Sequence, residues 1–415
     1  MAASAQSSSS PFGAPARSPG ASCAAGSSRG ASLIAALLAV LASGCVDELD
    51  PITGTTSLEV TLLSPSDTGS VDERLPDEAR AVTIQVRALD TEGEVDTTFD
   101  ATADIYIHFL GGLSPDLADE PFTQIPLSAG VSAETELDLP AVFGPTFLWA
   151  EDASGSDPTF ATGTSPVIWF RDPFLEDVSR PPDEMALDAL ESSPLESKQI
   201  NVQGSRYGED GRMVVTAVYA QGYTLTDVQC GPGGAPPCTA GPYDSVLVFT
   251  FSRPRGEEGE SIDQGDTIAR LTGAIGEFNG LTEVNFPQSF MTGEERDEDR
   301  MPEPVVLQED WMTANTIEME RVESALVAIE DAELCPLDED YDSFKQWKLA
   351  VGGDCSNRDA IANIITQGQV NEFDPTAYEA GTVFPRVVGT LRPVNIGTFN
   401  VWIVYPRDMN DVTPP

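Results

Sequence analysis

Gly265-Asp-Thr-Ile-Ala-Arg-Leu-Thr-Gly273 and Gly381-Thr-Val-Phe-Pro-Arg-Val-Val-Gly389 lie on one another without a gap. Both glycines, the arginine and the apolar positions coincide. Each stretch leads through a short turn region into an apolar strand and an aromatic–proline pair, Phe286-Pro287 in the first and Tyr405-Pro406 in the second. A long strand pattern precedes each as well, Met213 to Tyr219 and Ser324 to Glu330. Spacing preserved in this way marks an internal repeat. It predicts two copies of one small β-barrel, over residues 195–304 and 305–415.

Outward toward the N-terminus, Arg180-Pro-Pro-Asp-Glu and Ser192-Ser-Pro194 read as a linker over 179–194, with one short helical turn over Met185 to Leu190. Ahead of it, Leu58 to Leu63 and Ala81 to Leu89 alternate apolar and polar residues, the two-residue period of half-buried strands. Ile105 to Phe109, Glu134 to Leu139, Thr146 to Ala150 and Val167 to Phe170 continue the series between Gly/Pro/Asp/Ser turns. About seven short strands in such a span is the pattern of an Ig-like sandwich, here over 57–178. Ala88-Leu-Asp-Thr-Glu-Gly-Glu-Val-Asp-Thr-Thr-Phe99 resembles the strand–turn–strand of bacterial Ig-like surface repeats. That resemblance implies a spacer or adhesive unit and brings no catalytic residues. The expected fold is all-β.

The repeat also resembles a known family. Gly265-Asp-Thr-Ile-x-x-Leu-x-Gly273-x-Ile-x-Glu-Phe278-Asn-Gly280-Leu-Thr-Glu283 is similar to the OB-fold-like domain that accompanies secreted bacterial nucleases and related lipoproteins. Phe399-Asn-Val-Trp-Ile-Val-Tyr-Pro-Arg-Asp-Met-Asn-Asp411 resembles the closing strand and Pro-Arg-x-x-x-Asp tail of the same domain. The resemblance covers about 215 residues and implies two OB-like barrels. It says little of activity, because OB barrels carry many.

The N-terminal segment gives an address. Arg17 and Arg29 precede a nearly unbroken aliphatic run from Leu33 to Val40, which leads into Leu41-Ala42-Ser43-Gly44-Cys45. No acidic residue occurs before Asp47. A basic leader, a short apolar core and small residues form the layout of a secretory signal. The apolar core is shorter than the roughly 20 residues a membrane-spanning helix needs. A cysteine directly after the small residues resembles the lipobox of bacterial lipoproteins, although Ala42 stands where that motif usually has leucine. The resemblance implies that residues 1–44 are removed, that Cys45 is lipidated, and that 45–56 form a tether. Val46 follows the cysteine, so no aspartate there marks inner-membrane retention, and an outer-membrane lipoprotein of the cell envelope is expected.

Without the leader, 371 residues remain, with 20 basic and 68 acidic side chains and a net charge of −48. Such a surface opposes phosphate ligands, whether nucleic acid or anionic lipid. Four cysteines remain beyond Cys45: Cys230, Cys238, Cys335 and Cys355. An even count in an exported chain reads as two disulfides with three possible connectivities. The local pairs, Cys230–Cys238 and Cys335–Cys355, are preferred. A four-cysteine zinc site needs close Cys-x-x-Cys pairs, and the chain has none.

The catalytic inventory is thin. The chain has one histidine, His108, placed in a strand away from any nucleophile elbow. His-Glu-x-x-His and phosphate-binding glycine loops are absent from the sequence. Among the acidic runs, Asp338, Asp340 and Asp342 alternate, a spacing that a hard cation such as calcium could use. The run departs from an EF-hand at Ser343 and Leu349, and a solvated loop is the favoured reading. No cofactor is otherwise expected. An OB barrel that holds single strands needs a basic groove with stacking aromatics. Here Tyr219, Tyr223, Phe249, Phe251, Trp347 and Trp402 are offset by few cations: Arg253, Arg255, Arg270, Lys345, Lys348, Arg386 and Arg407.

These readings lead to a non-catalytic, lipid-anchored envelope protein that binds or scaffolds a protein or glycan partner. The alternatives are a secreted hydrolase or phosphodiesterase, or an accessory subunit of an extracellular nuclease, and a structural spacer without ligand.

Overall fold

The computed structural model describes residues 54–76, 80–110, 120–155, 161–182, 184, 192–313, 316–396 and 399–414. Cys45, most of the tether and the helical turn expected over Met185 to Leu190 lie outside the described residues. The fold is all-β, with three sheets in chain order.

The first sheet holds β1 (Ser57–Ser64), β2 (Ala81–Leu89), β3 (Ala101–Leu110), β4 (Thr123–Ser128), β5 (Val131–Ser132), β6 (Thr135–Asp138), β7 (Phe143–Asp152), β8 (Gly163–Thr164) and β9 (Ile168–Trp169). β2 shows why these residues form strands. Val82, Ile84, Val86 and Ala88 are fully buried, while the residues between them face outward. One group of pairings runs β6–β2–β1, the other β4–β3–β7 with β8 and β9 on β7. The two groups share one apolar core, to which β2 gives Ile84 and Val86, β3 Ile105 and β7 Leu148. The two groups are also stitched together. A tight turn at Ala129-Gly130 sends the chain back as β5, which pairs both β4 and Arg87 of β2. On the other side, Leu58 N–H donates to Ala161 O (3.0 Å) and Ala161 N–H to Thr56 O (2.9 Å). The Ala88–Phe99 motif gives a strand and a turn, but its second arm reaches only a single bridge, Leu89↔Val95. Asp96 N–H closes that bridge by donating to Ala88 O, and the Asp96 side chain accepts from the Thr98 N–H and hydroxyl.

The second sheet holds β10 (Gln199–Gln203), β11 (Gly211–Tyr219), β12 (Gly222–Gly231), β13 (Ala235–Thr239), β14 (Ser245–Phe249), β15 (Thr267–Phe278) and β16 (Leu281–Met291). Five strands close a ring: β11–β12–β14–β16–β15 and back to β11, with β14–β16 parallel. The third sheet holds β17 (Val305–Val306), β18 (Leu326–Leu334), β19 (Gln346–Ala350), β20 (Ile361–Ile365), β21 (Val383–Ile396), β22 (Phe399–Tyr405) and β23 (Val412–Thr413). Its ring is β18–β19–β20–β22–β21 and back to β18, with β20–β22 parallel. The two rings have the same pairing order, that of a five-stranded Greek-key OB barrel.

The repeated glycines mark the same place in both rings. A Cβ on Gly273 would lie 2.8 Å from Asn285 O and 2.5 Å from a Val284 methyl. One on Gly389 would lie 2.6 Å from Tyr405 C and O. Each glycine therefore lets the fourth barrel strand cross the fifth beside its aromatic–proline pair. Asn279-Gly280, both with positive φ, make the two-residue hairpin between β15 and β16.

Each sheet has a core of its own, and the cores are linked. Phe143 of β7 packs with Leu175 and Val178 of helix α1 (Leu175–Ser179) in the core of the first barrel. Helix α2 (Ile317–Glu320) and Val322 supply Met319 and Val322 to the core of the second. Residues Ile52–Pro415 form one compact unit. Both local disulfides are present, Cys230–Cys238 and Cys335–Cys355.

Candidate functional site

The second barrel is thinly seamed on one side. β20 and β22 pair only at Asn363↔Ile403 and Ile364↔Val404. The residues just before those pairs line a cleft of about 960 Å³. Its floor is apolar, with Leu307, Met319, Leu391 and Trp402 buried and Met312 half-buried. Its rim is charged and comes from connecting segments. Helix α3 (Glu339–Phe344) and its N-cap give Asp338, Glu339 and Asp340; β19 gives Lys348; the β19–β20 loop gives Arg358 and Asp359. The disulfide Cys335–Cys355 forms part of the wall and pins both segments. A cleft of this size, with an apolar floor under a charged rim, is suited to a ligand that carries both characters.

The structure separates the three candidate cation ligands. Asp338 caps α3, accepting from Asp340 N–H at 3.1 Å. Lys348 Nζ donates to Asp338 at 2.7 Å and also to Asp340. Partial burial of Asp338 works against its charge, but the Lys348 ammonium holds its carboxyl below the usual range. Burial likewise opposes the charge of Lys348, and the two carboxylates hold its pKa up. Asp342 lies further along the first turn of α3. Two of the three aspartates thus meet a lysine, and among the described residues no group of three or more His, Cys, Asp or Glu is arranged for a metal ion.

The aromatic candidates divide. Tyr223, Trp347 and Trp402 are core; Tyr223 bonds Ser289 inside its barrel at 2.6 Å. Phe249 and Phe251 instead form an outer ladder with Phe286, at ring separations of 4.5 and 5.1 Å. Phe251 is 52% exposed and Phe286 73%. Both have a left-handed backbone, φ +59° and +50°, a costly conformation for a bulky side chain. The sequence marks Phe286 only as a repeat position, and no pattern around it signals exposure.

The cations are dispersed. Arg253 pairs with Asp263 and Arg386 with Glu330, Arg255 bonds Gly259 O, Arg270 lies over Phe290, and Lys345 over Tyr341. Arg407 explains the Pro-Arg-x-x-x-Asp tail. Its guanidinium grips Asp411 through two bonds of 2.7 and 2.8 Å and donates to Thr216 O of the first barrel at 3.0 Å. That motif is a clamp between barrels. His108 is exposed on the outer face, stacked on Phe147 at 4.9 Å.

Between the barrels lies a group of carboxylates that sequence reasoning did not single out. Glu277 accepts from Ser193 N–H (2.8 Å) and the Thr282 hydroxyl (2.9 Å). Glu323 accepts from Thr282 N–H at 3.1 Å. Burial pushes Glu277 up to about 7, against those two hydrogen bonds. Burial, with Glu320, Glu277 and Glu283 nearby, raises Glu323 well above the carboxylate range. Arg392 partly offsets the same effect of burial at Glu283.

No family model and no curated protein matches the chain. Among solved structures, dimeric latent PorU from Porphyromonas gingivalis matches at 12% identity with a TM-score of 0.18, over 85% of this chain and 34% of that one. The chain thus spans about a third of the PorU chain.

Proposed function

We propose that this is a non-catalytic binding protein of the bacterial cell envelope, an outer-membrane lipoprotein held by lipid at Cys45, whose second barrel receives a protein or glycan partner. The observation that carries the binding role is the Met-floored cleft with its disulfide-pinned charged rim. The anchor rests on the run from Leu33 to Cys45, and the two disulfides suit an oxidising compartment. The placement of His108 on an exposed stacked face supports a non-catalytic reading. The dispersed cations and the charge of −46 favour partners other than nucleic acid.

The exposed ladder Phe249, Phe251 and Phe286 favours a glycan as a second contact, since flat apolar sugar faces stack on aromatic rings. The test has two parts. Cys45→Ser should move the protein from the membrane to the soluble fraction; retention there, with no acyl label on the parent chain, refutes the anchor. Arrays of glycans and peptides probed with the purified chain should yield a ligand whose retention is lost in Met312→Asp. Retention indifferent to that substitution, or no ligand at all, refutes the cleft.

A further inference from the structure

The rim of the cleft has a sign. Together with an adjoining cavity of about 410 Å³ that shares Thr313 and Asp359, it presents six carboxylates against two cations. Asp338 and Asp340 share the single positive charge of Lys348. The others, Glu309, Asp310, Glu339 and Asp359, are exposed. Glu339 and Asp359 share the cleft with two methionines, whose flexible thioethers adapt to inserted apolar groups, and Glu309 and Asp310 line the adjoining cavity.

We propose that the second-barrel cleft holds a basic segment of a partner protein, with one or two apolar side chains seated on Met312 and Met319. The proposal rests on the binding role given to the cleft above. Charge complementarity selects this occupant. An anion would face the four open carboxylates and the field of a chain at −46. A neutral glycan donates hydroxyls to carboxylates but leaves their charge uncompensated. A small cation would satisfy the rim and leave the floor empty. An extended chain satisfies both, because the acidic track continues from the cleft into the adjoining cavity through Thr313 and Asp359.

The test uses the full chain and three labelled peptides at physiological ionic strength: lysines flanking two central leucines, lysines throughout, and the leucine peptide with glutamate for lysine. The leucine–lysine peptide should bind at least about tenfold more tightly than the all-lysine one, the value of burying one apolar side chain. The glutamate peptide should not bind. Met312→Asp should erase the leucine advantage. Glu309→Gln with Glu339→Gln and Asp359→Asn should weaken binding by about tenfold or more. The matched control, Glu92→Gln with Glu94→Gln and Glu136→Gln on the first sheet, should leave it unchanged. Equal weakening by the control, equal binding of the all-lysine peptide, or no binding of either basic peptide overturns the proposal. If a glycan or a neutral peptide is retained in a Met312-dependent manner while both basic peptides fail, the binding role stands and the basic occupant falls. If nothing depends on Met312, both fall.

Discussion

The two barrels share one ring of pairings and one crossover, yet they use the crossover aromatic in opposite ways. In the first, Phe286 sits beside Gly273 and is largely exposed, its ring tilted against Phe251. In the second, Tyr405 sits beside Gly389 and is covered. Arg392 lies over it at 5.0 Å and over Tyr219 of the first barrel at 4.0 Å. The repeat alignment places Gly276 at the position of Arg392. One exchange of side chain therefore turns an open face into a joint. A duplicated barrel keeps what the ring needs and changes what the ring presents.

The two crossover glycines carry the largest expected effects. Gly389→Ala forces a methyl to within 2.6 Å of Tyr405 backbone atoms, which side-chain rotation cannot relieve. A loss of about 3 kcal/mol or more is expected in denaturant unfolding. In Gly273→Ala the Val284 methyl has some freedom to turn, but the Asn285 backbone oxygen, 2.8 Å from the new methyl, does not. A loss of about 2 kcal/mol is expected there, less than at Gly389. Equal or negligible losses would mean that the shared spacing does not encode the crossover.

This pair of glycines also shows how far the sequence could be read. The two barrels were legible because a close backbone crossing tolerates only glycine, so the crossing residue recurs at the same spacing, eight residues after the first glycine of each stretch. Strands with strict alternation, such as β2, were legible for the same kind of reason. The β4 strand, Thr123–Ser128, was not, because Pro126 interrupts its pattern. The cleft was legible only as scattered pieces. Its floor consists of ordinary core residues from β21, β22 and α2, and nothing local says that β20 and β22 pair over just two positions. The carboxylates between barrels were hidden for a related reason. Glu277 and Glu323 are 46 residues apart, and among 68 acids their burial has no local signature.

Those carboxylates set the next expectation, at the joint that distinguishes the barrels. Glu277 and Glu323 both have raised folded-state pKa values. The folded state then binds more protons than the unfolded state above the ordinary value of 4.5. Their contribution to stability is full below that value and is lost as pH rises, through about 7 for Glu277. Glu323→Gln removes one titration and keeps the shape. It should stabilise the protein by about 1–3 kcal/mol at about pH 8, with the gain vanishing near about pH 5. Melting curves across that range check it. A gain that is constant with pH would place the effect in packing and not in charge.

The smallest effect belongs to the open crossover aromatic. Phe286 has φ +50°, in the region where a side chain costs roughly 1–2 kcal/mol and glycine costs nothing. Phe286→Ala keeps that strain and loses the contact with Phe251, so a modest loss of about 0.5–1 kcal/mol is expected. Phe286→Gly loses the same contact but relieves the backbone, against the larger unfolded-state entropy of glycine. The two glycine terms nearly cancel, and the Gly variant should equal or exceed the Ala variant by up to about 1 kcal/mol. Side chains normally rank the other way, so the inversion isolates the backbone term. If Ala proves the more stable, the left-handed turn at Phe286 carries no strain, and the first barrel exposes this ring at no cost to its fold.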